Sequence, residues 1–183
     1  MSALLRFDGV TLRRGGRLLF KEFDLELGPG EAMQITGPNG SGKSSLIRLA
    51  AGLLQPQAGN IQRSPLAMAD DAVALDREVS LERALRFWVE PPNAALEALG
   101  LAALAQVPVR LLSSGQLKRA TLARATASGA PLWLLDEPLN ALDAAGTELL
   151  DKLIAEHRAD GGAVLAASHQ RLSGNWRSLE LQA

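Results

Sequence analysis

Two stretches near the start of the chain, LLRFDGVTL and FDLELGPGEAMQITG, alternate apolar and polar residues around a Gly-Pro-Gly break at Gly28 to Gly30. A period of two turns every second side chain the same way, so this pattern predicts an N-terminal β-region leading into a buried strand over Ala32 to Thr36. A helix is expected from Lys43 to Ala51, closed by Gly52. QPQAGNIQRSPLAMA, punctuated by Pro and Gly, reads as short strands and turns.

The period changes from Ser80 onward. SLERALRFWV sets Leu81, Leu85 and Trp88 on one helical face, with Ser80 as N-cap, Glu82 near the positive end of the dipole, and Pro91 and Pro92 as the stop. NAALEALGLAALAQV adds short Ala/Leu-rich helices, so residues from about 80 to 110 read as a helical insertion. After LSSGQ a helix is expected from Gln116 to Ala127. PLWLLDEP is a short, continuously apolar run ending in two acids, the pattern of a buried parallel strand. TELLDKLIAEHR reads as an amphipathic helix ended by Gly161 and Gly162, AVLAAS as a second buried strand, and WRSLELQ as a last edge strand. Strands alternating with helices predict an α/β fold with a mostly parallel sheet covered on both faces.

Composition adds bounds rather than direction. The 183 residues fit one domain, and a chain of that size buries roughly 70% of its unfolded surface. A formal net charge of -1 gives no electrostatic case for nucleic acid or an anionic membrane surface. The absence of cysteine excludes disulfides, thiolate metal sites and a thiol nucleophile. MSALLRFDGVTLRRGG carries charges too early for a signal peptide, and no apolar run approaches the roughly 20 residues a membrane span needs. A role at a membrane would therefore need a partner to hold the chain there.

The chemistry begins at GPNGSGKSS. Gly37, Pro38, Asn39, Gly40, Ser41, Gly42, Lys43, Ser44 and Ser45 match a P-loop, with a predicted strand before and a helix after. Glycines let backbone N–H groups turn inward around phosphate oxygens, and the helix adds its positive end. Lys43 would reach the β- and γ-phosphates and the Ser44 hydroxyl would ligate magnesium. LLDEP supplies Asp136 and Glu137 at the C-terminal end of a buried strand, where α/β sheets bind ligands. Asp136 would hold the magnesium, mostly through water, and Glu137 would act as general base toward the attacking water. Alone, the two acids read equally as a solvated strand end. LSSGQ alone reads as an ordinary helix cap or as an anion site.

The order GPNGSGKSS, LSSGQ, LLDEP, NALD and SHQ resembles the nucleotide-binding domain of ABC ATPases, from about Val10 to Gln170. That resemblance implies a P-loop NTPase fold of ABC type over residues 1–183, with a mostly parallel sheet, an N-terminal antiparallel β-region and a small helical subdomain at about 80–110. It implies ATP hydrolysis with Mg2+ and a head-to-tail homodimer in the ATP-bound state, each signature turn facing the P-loop of the other copy. In this pattern Ser113 contacts the γ-phosphate, Gly115 lets the helix backbone approach, and Gln116 completes the same turn. Asp143 in NALD links the two sites across the interface, and His169 contacts the γ-phosphate as the switch histidine. His157, mid-helix beside Glu156 and Arg158, reads as part of a solvated face.

Three departures from the family pattern stand out. Arg14, in TLRRGG, occupies the place of the aromatic ring that stacks on adenine; it either stacks through its guanidinium or is simply solvated. The glutamine expected near AMADDAVALDR is absent, leaving Asp70 or Asp71 as substitute oxygen donors. Ser114 replaces the first glycine of the signature. The short chain, QITGPNGSGKSSLIRLAAGL, APLWLLDEPLNALDAAG and SHQRL further resemble the ATP-binding subunits of bacterial cytochrome c maturation (haem export) systems. That implies a CcmB-like integral membrane subunit as partner, at the cytoplasmic face of the inner membrane. It also implies ATP-driven release of a haem-loaded chaperone, without haem binding by this chain. Phe87 and Trp88 are the candidate docking residues, with core packing as the alternative role for at least one of the two rings. The alternatives are the ATPase of another exporter and a nucleotide-binding regulatory module of low turnover.

Overall fold

A computed structural model describes residues 3–70 and 75–182 of the chain. Asp71 lies outside the described residues. The N-terminal region is a hairpin of β1 (Leu5–Arg14) and β2 (Arg17–Leu27), with β4 (Ala58–Arg63) antiparallel on the other side of β1. Arg14 pairs with Arg17 across Gly15 and Gly16, both at positive φ. Positive φ at both central residues is what a two-residue hairpin turn needs to match the right-handed twist of its strands, and glycine adopts it without strain.

The second sheet has the order β5 (Leu66–Ala69), β6 (Leu132–Asp136), β7 (Ala163–Ala167), β3 (Ala32–Thr36) and β8 (Arg177–Glu180), all parallel. Its central strands read as continuous apolar runs because both faces are covered. Leu132 and Leu134 face one core with Ala163, Leu165, Ile35 and helix α1 (Lys43–Ala51). Trp133 and Leu135 face the other core with Val164 and Ala166. Helix α4 (Ser114–Thr126), helix α5 (Ala144–Ala159) and the helical subdomain close that second side. The fold is the expected one, including β8 at the sheet edge.

The helical subdomain holds α2 (Leu81–Arg86) and α3 (Asn93–Ala98). Ser80 caps α2 by accepting from the Arg83 N–H, as the sequence suggests. The helix stops at Arg86, however, well before the prolines, so Trp88 leaves the face shared by Leu81 and Leu85. Trp88 instead covers the Arg124 guanidinium, 4.6 Å from the ring centroid, while Arg124 donates to the Met68 carbonyl. One arginine of α4 thereby ties the subdomain to the end of β5. Phe87, 82% exposed, meets Trp88 in a T-shaped contact with ring centroids 4.9 Å apart.

Two helices begin earlier than the hydrophobic period indicates. Helix α4 starts at Ser114 and α5 at Ala144, because the residues before them are caps: Ser113 and Asp143 each accept from a backbone N–H of the first turn.

Candidate active site

In the parallel sheet, β7 lies between β6 and β3. The C-terminal ends of these three neighbours carry, respectively, Ser168–His169, Asp136–Glu137 and the P-loop. Loops that are distant in sequence thus meet at one edge of the sheet.

The P-loop is shaped by Gly37, Gly40 and Gly42, all at positive φ. At Gly37 a side chain would run into the Leu181 carbonyl, so only glycine fits. Lys43 is buried and its ammonium donates to the carbonyls of Gly37 (2.8 Å) and Pro38 (3.2 Å). Ser41 is buried with its hydroxyl unpaired inside the loop. A curled backbone with an internal lysine and a spare buried hydroxyl is a cradle suited to phosphate oxygens.

The Ser44 hydroxyl lies 3.1 Å from Asp136 Oδ1. Two hard oxygen donors side by side at a phosphate cradle fit Mg2+, which takes one or two protein oxygens and completes its shell with phosphate and water.

Glu137 sits at φ 48, a left-handed conformation uncommon for a residue with a side chain, and its N–H donates to the Ala167 carbonyl (2.8 Å). Its carboxylate oxygen Oε2 accepts twice from His169, from the backbone N–H (3.3 Å) and from ring Nδ1 (2.8 Å). A carboxylate only accepts, so this contact places a ring proton on Nδ1. The two residues assigned to catalysis are therefore in direct contact.

A cleft of about 490 Å³ opens over the P-loop. Arg14, Asn39, Gly40, Gly42, Lys43, Ser44, Ser45 and Glu137 line it, together with Gly15, Arg17 and Leu19, which sequence reasoning passed over. The hairpin turn that brings Arg14 over the loop necessarily brings Arg17 as well, and the Gly-Gly signal for that turn was legible. Arg14 donates to the Ser45 hydroxyl at 3.2 Å, which anchors its guanidinium at the start of α1. Asp70 lies elsewhere, in a cleft with Ser114, Lys118 and Asn140 beside α4.

The signature residues lie apart from this cleft. Ser113 and Gln116 form a capping box: the Ser113 hydroxyl accepts from the Gln116 N–H (3.3 Å) and Gln116 Oε1 accepts from the Ser113 N–H (2.9 Å). Ser-x-x-Gln ahead of a helix is the sequence signal for it. A Cβ on Gly115 would stand 2.9 Å from the Ala141 carbonyl, so the start of α4 packs closely against the turn that follows β6. Asp143 caps α5 by accepting from the Gly146 N–H at 2.8 Å. His157 departs from the solvated face expected of it. Its ring stacks on Trp133 with centroids 3.8 Å apart and planes 7° from parallel.

Comparison with known proteins follows the same lines. A family model described as ABC transporter matches residues 20–140. A cytochrome c biogenesis ATP-binding export protein CcmA from Sphingopyxis alaskensis is 52% identical over 94% of this chain and 93% of its own length. Its counterpart from Novosphingobium aromaticivorans is 51% identical over 90% and 87%. Among solved structures, an ATP-binding subunit of an ABC transporter superposes with a TM-score of 0.82 at 23% identity, over 91% of this chain and 79% of that one, a likeness of fold.

Proposed function

The chain belongs to the ABC transporter ATPase family, and from that premise we propose that it is the ATP-hydrolysing subunit of a cytochrome c maturation complex that handles haem. The reaction rests on one observation above the others: Lys43, Glu137 and His169 meet at the ends of three adjacent strands. Support for the pathway comes from relatives about half identical over nearly the whole chain, which carry the name of cytochrome c biogenesis export proteins.

ATP sits with its phosphates in the P-loop, where Lys43 exchanges the Gly37 and Pro38 carbonyls for β- and γ-phosphate oxygens. The Ser44 hydroxyl and the Asp136 carboxylate would hold Mg2+, which would supply charge neutralisation when bound. Glu137 takes the proton of the attacking water, while His169, fixed through Nδ1, presents Nε2 toward the γ-phosphate. Arg14, anchored on Ser45, covers the nucleotide from the hairpin side. Ser113, Gly115, Gln116 and Asp143 act on the second copy of the chain, closing a composite site in an ATP-bound homodimer.

Among the described residues no helix is long and apolar enough to cross a membrane. The chain's similarity to cytochrome c biogenesis export proteins supports the proposal that it works at the cytoplasmic face, held by a CcmB-like integral membrane subunit. Phe87 and Trp88, 82% and 42% exposed, offer that subunit an aromatic contact on the helical subdomain.

The test is co-purification from gently solubilised membranes combined with steady-state ATPase assay. Recovery of a multi-span subunit with cytochrome c maturation factors, and turnover abolished by Lys43→Ala, are expected. Recovery of an unrelated permease would discard the pathway, and turnover insensitive to Lys43→Ala would discard the enzyme.

A further inference from the structure

The middle residue of β3 is out of character with its neighbours. Ala32, Met33 and Ile35 are buried and apolar, as a central strand of a covered sheet demands, yet Gln34 among them is only 6% exposed. A primary amide in such a place is costly unless its hydrogen bonds are met. They are met by one segment. Gln34 Nε2 donates to the Gln170 carbonyl (2.7 Å) and the Ser168 carbonyl (3.4 Å), and Oε1 accepts from the Leu172 N–H (3.2 Å). Carbonyls at one end and an N–H at the other fix which way the amide points.

Residues 168–172 are the loop that carries His169. Gln34 grips it on both sides of the histidine, and Ser168, fully buried, adds a bond from its N–H to the Ile35 carbonyl (3.1 Å). His169 in turn meets Glu137 through both its backbone N–H and its ring. Without the amide, the loop keeps its connection to β7 and the Ser168 bond to Ile35 but loses the three contacts that fix residues 168–172 against β3.

We infer that Gln34 is a positioning residue for hydrolysis: from the core of β3 its amide holds the 168–172 loop so that the His169 ring reaches Glu137 and the γ-phosphate. This rests on the reading of His169 and Glu137 as the catalytic pair. The same strand continues through Thr36 into the P-loop, so the phosphate cradle and the histidine loop are referenced to one rigid element. Gln34 commits its amide to the 168–172 loop, so its effect is on geometry.

The experiment uses the chain in complex with its membrane partner. Gln34→Met keeps the volume and removes the hydrogen bonds; Gln34→Glu keeps the acceptor but turns an oxygen toward the Gln170 and Ser168 carbonyls. Both are expected to lower kcat about tenfold with KM for ATP nearly unchanged, because the phosphate-binding residues are untouched. In single-turnover assays, Gln34→Met added to His169→Ala is expected to give no further loss, since it acts through the ring already removed. A kcat at the wild-type level in whichever of the two variants folds, or a full additional loss in the His169→Ala background, would overturn the positioning role while leaving His169 in place. Wild-type turnover in His169→Ala itself would remove the catalytic reading and this inference with it.

Discussion

His157 lies flat against Trp133 with its Nε2 enclosed and without a partner in hydrogen-bond geometry. Gly162 makes the space, since a side chain there would occupy the place of the ring. Burial pushes the imidazole pKa below its ordinary value, and the carbonyls of Ala163 and Pro131 with the Asp160 carboxylate offset this only in part. The folded state therefore prefers the neutral ring. Its contribution to stability is complete above the unfolded value of about 6.5 and is lost as pH falls through the lowered folded value. Replacing His157 with Phe keeps a stacked ring that does not titrate. Thermal melts from pH 7.5 down to pH 5 are expected to show wild type losing stability relative to His157→Phe as the pH falls. Parallel curves would show that the ring does not charge in this range. Position within TELLDKLIAEHR marks His157 as near the polar side of a helix, but its partner comes from β6 and its space from the turn after α5, neither of which local periodicity contains. Gln34 escaped sequence reading for a similar reason: its partners lie more than 130 residues away along the chain. The P-loop was legible from its own local spacing between a strand and a helix, whereas Glu137 and His169 were legible because of the order of the motifs along the chain.

At the level of elements, helix α4 has two reasons to begin where it does. The capping box of Ser113 and Gln116 satisfies backbone groups at its start, and Gly115 lets that first turn press against the Ala141 carbonyl, whose own residue sits at φ 63. The signature turn is thus mechanically joined to the loop after Glu137 within one chain. A methyl group at position 115 must push the helix or the turn away, and overpacking of this kind costs about 1–3 kcal/mol. Gly115→Ala is expected to lower the melting temperature by about 2–12 °C at this chain length. On the proposed head-to-tail pairing, ATP-dependent assembly should fall in the same variant, because the moved turn would be the part that meets the second copy. An unchanged melting temperature would mean that the contact relaxes without strain. The buried strands β6 and β7 were readable as elements because both faces are covered and the apolar run is unbroken. The starts of α4 and α5 were not, because each helix begins with small or polar residues set by a cap rather than by the hydrophobic stripe. Helix α2 failed in the opposite sense. Its apolar stripe continued to Trp88, but that ring is drawn to Arg124, which only the tertiary fold supplies.

For the whole molecule, the decisive feature is the separation of two phosphate-friendly turns. Lys43 and Glu137 line one cleft, whereas Ser113, although capping a helix whose positive end could receive an anion, is exposed beside the Ala141 turn and absent from that cleft's lining. Within one chain the signature stands away from that cleft, so on the proposed reading its chemistry would need a second copy. A head-to-tail pair would give each P-loop a signature turn, and hydrolysis would reopen the pair by removing the γ-phosphate that both sides grip. Glu137→Gln keeps the size and the acceptor oxygen for His169 but cannot take a proton, so it is expected to stall the closed state. Light scattering should then report twice the monomer mass with ATP and Mg2+ and the monomer mass without nucleotide. Ser113→Arg in the same background should return the monomer mass with ATP present, because a long side chain at the turn keeps the second P-loop away. A Glu137→Gln protein that stays monomeric with ATP and Mg2+, alone and again with its membrane partner, would refute the composite site. The signature would then be a helix cap and nothing more, and Lys43, Glu137 and His169 would have to act within a single chain.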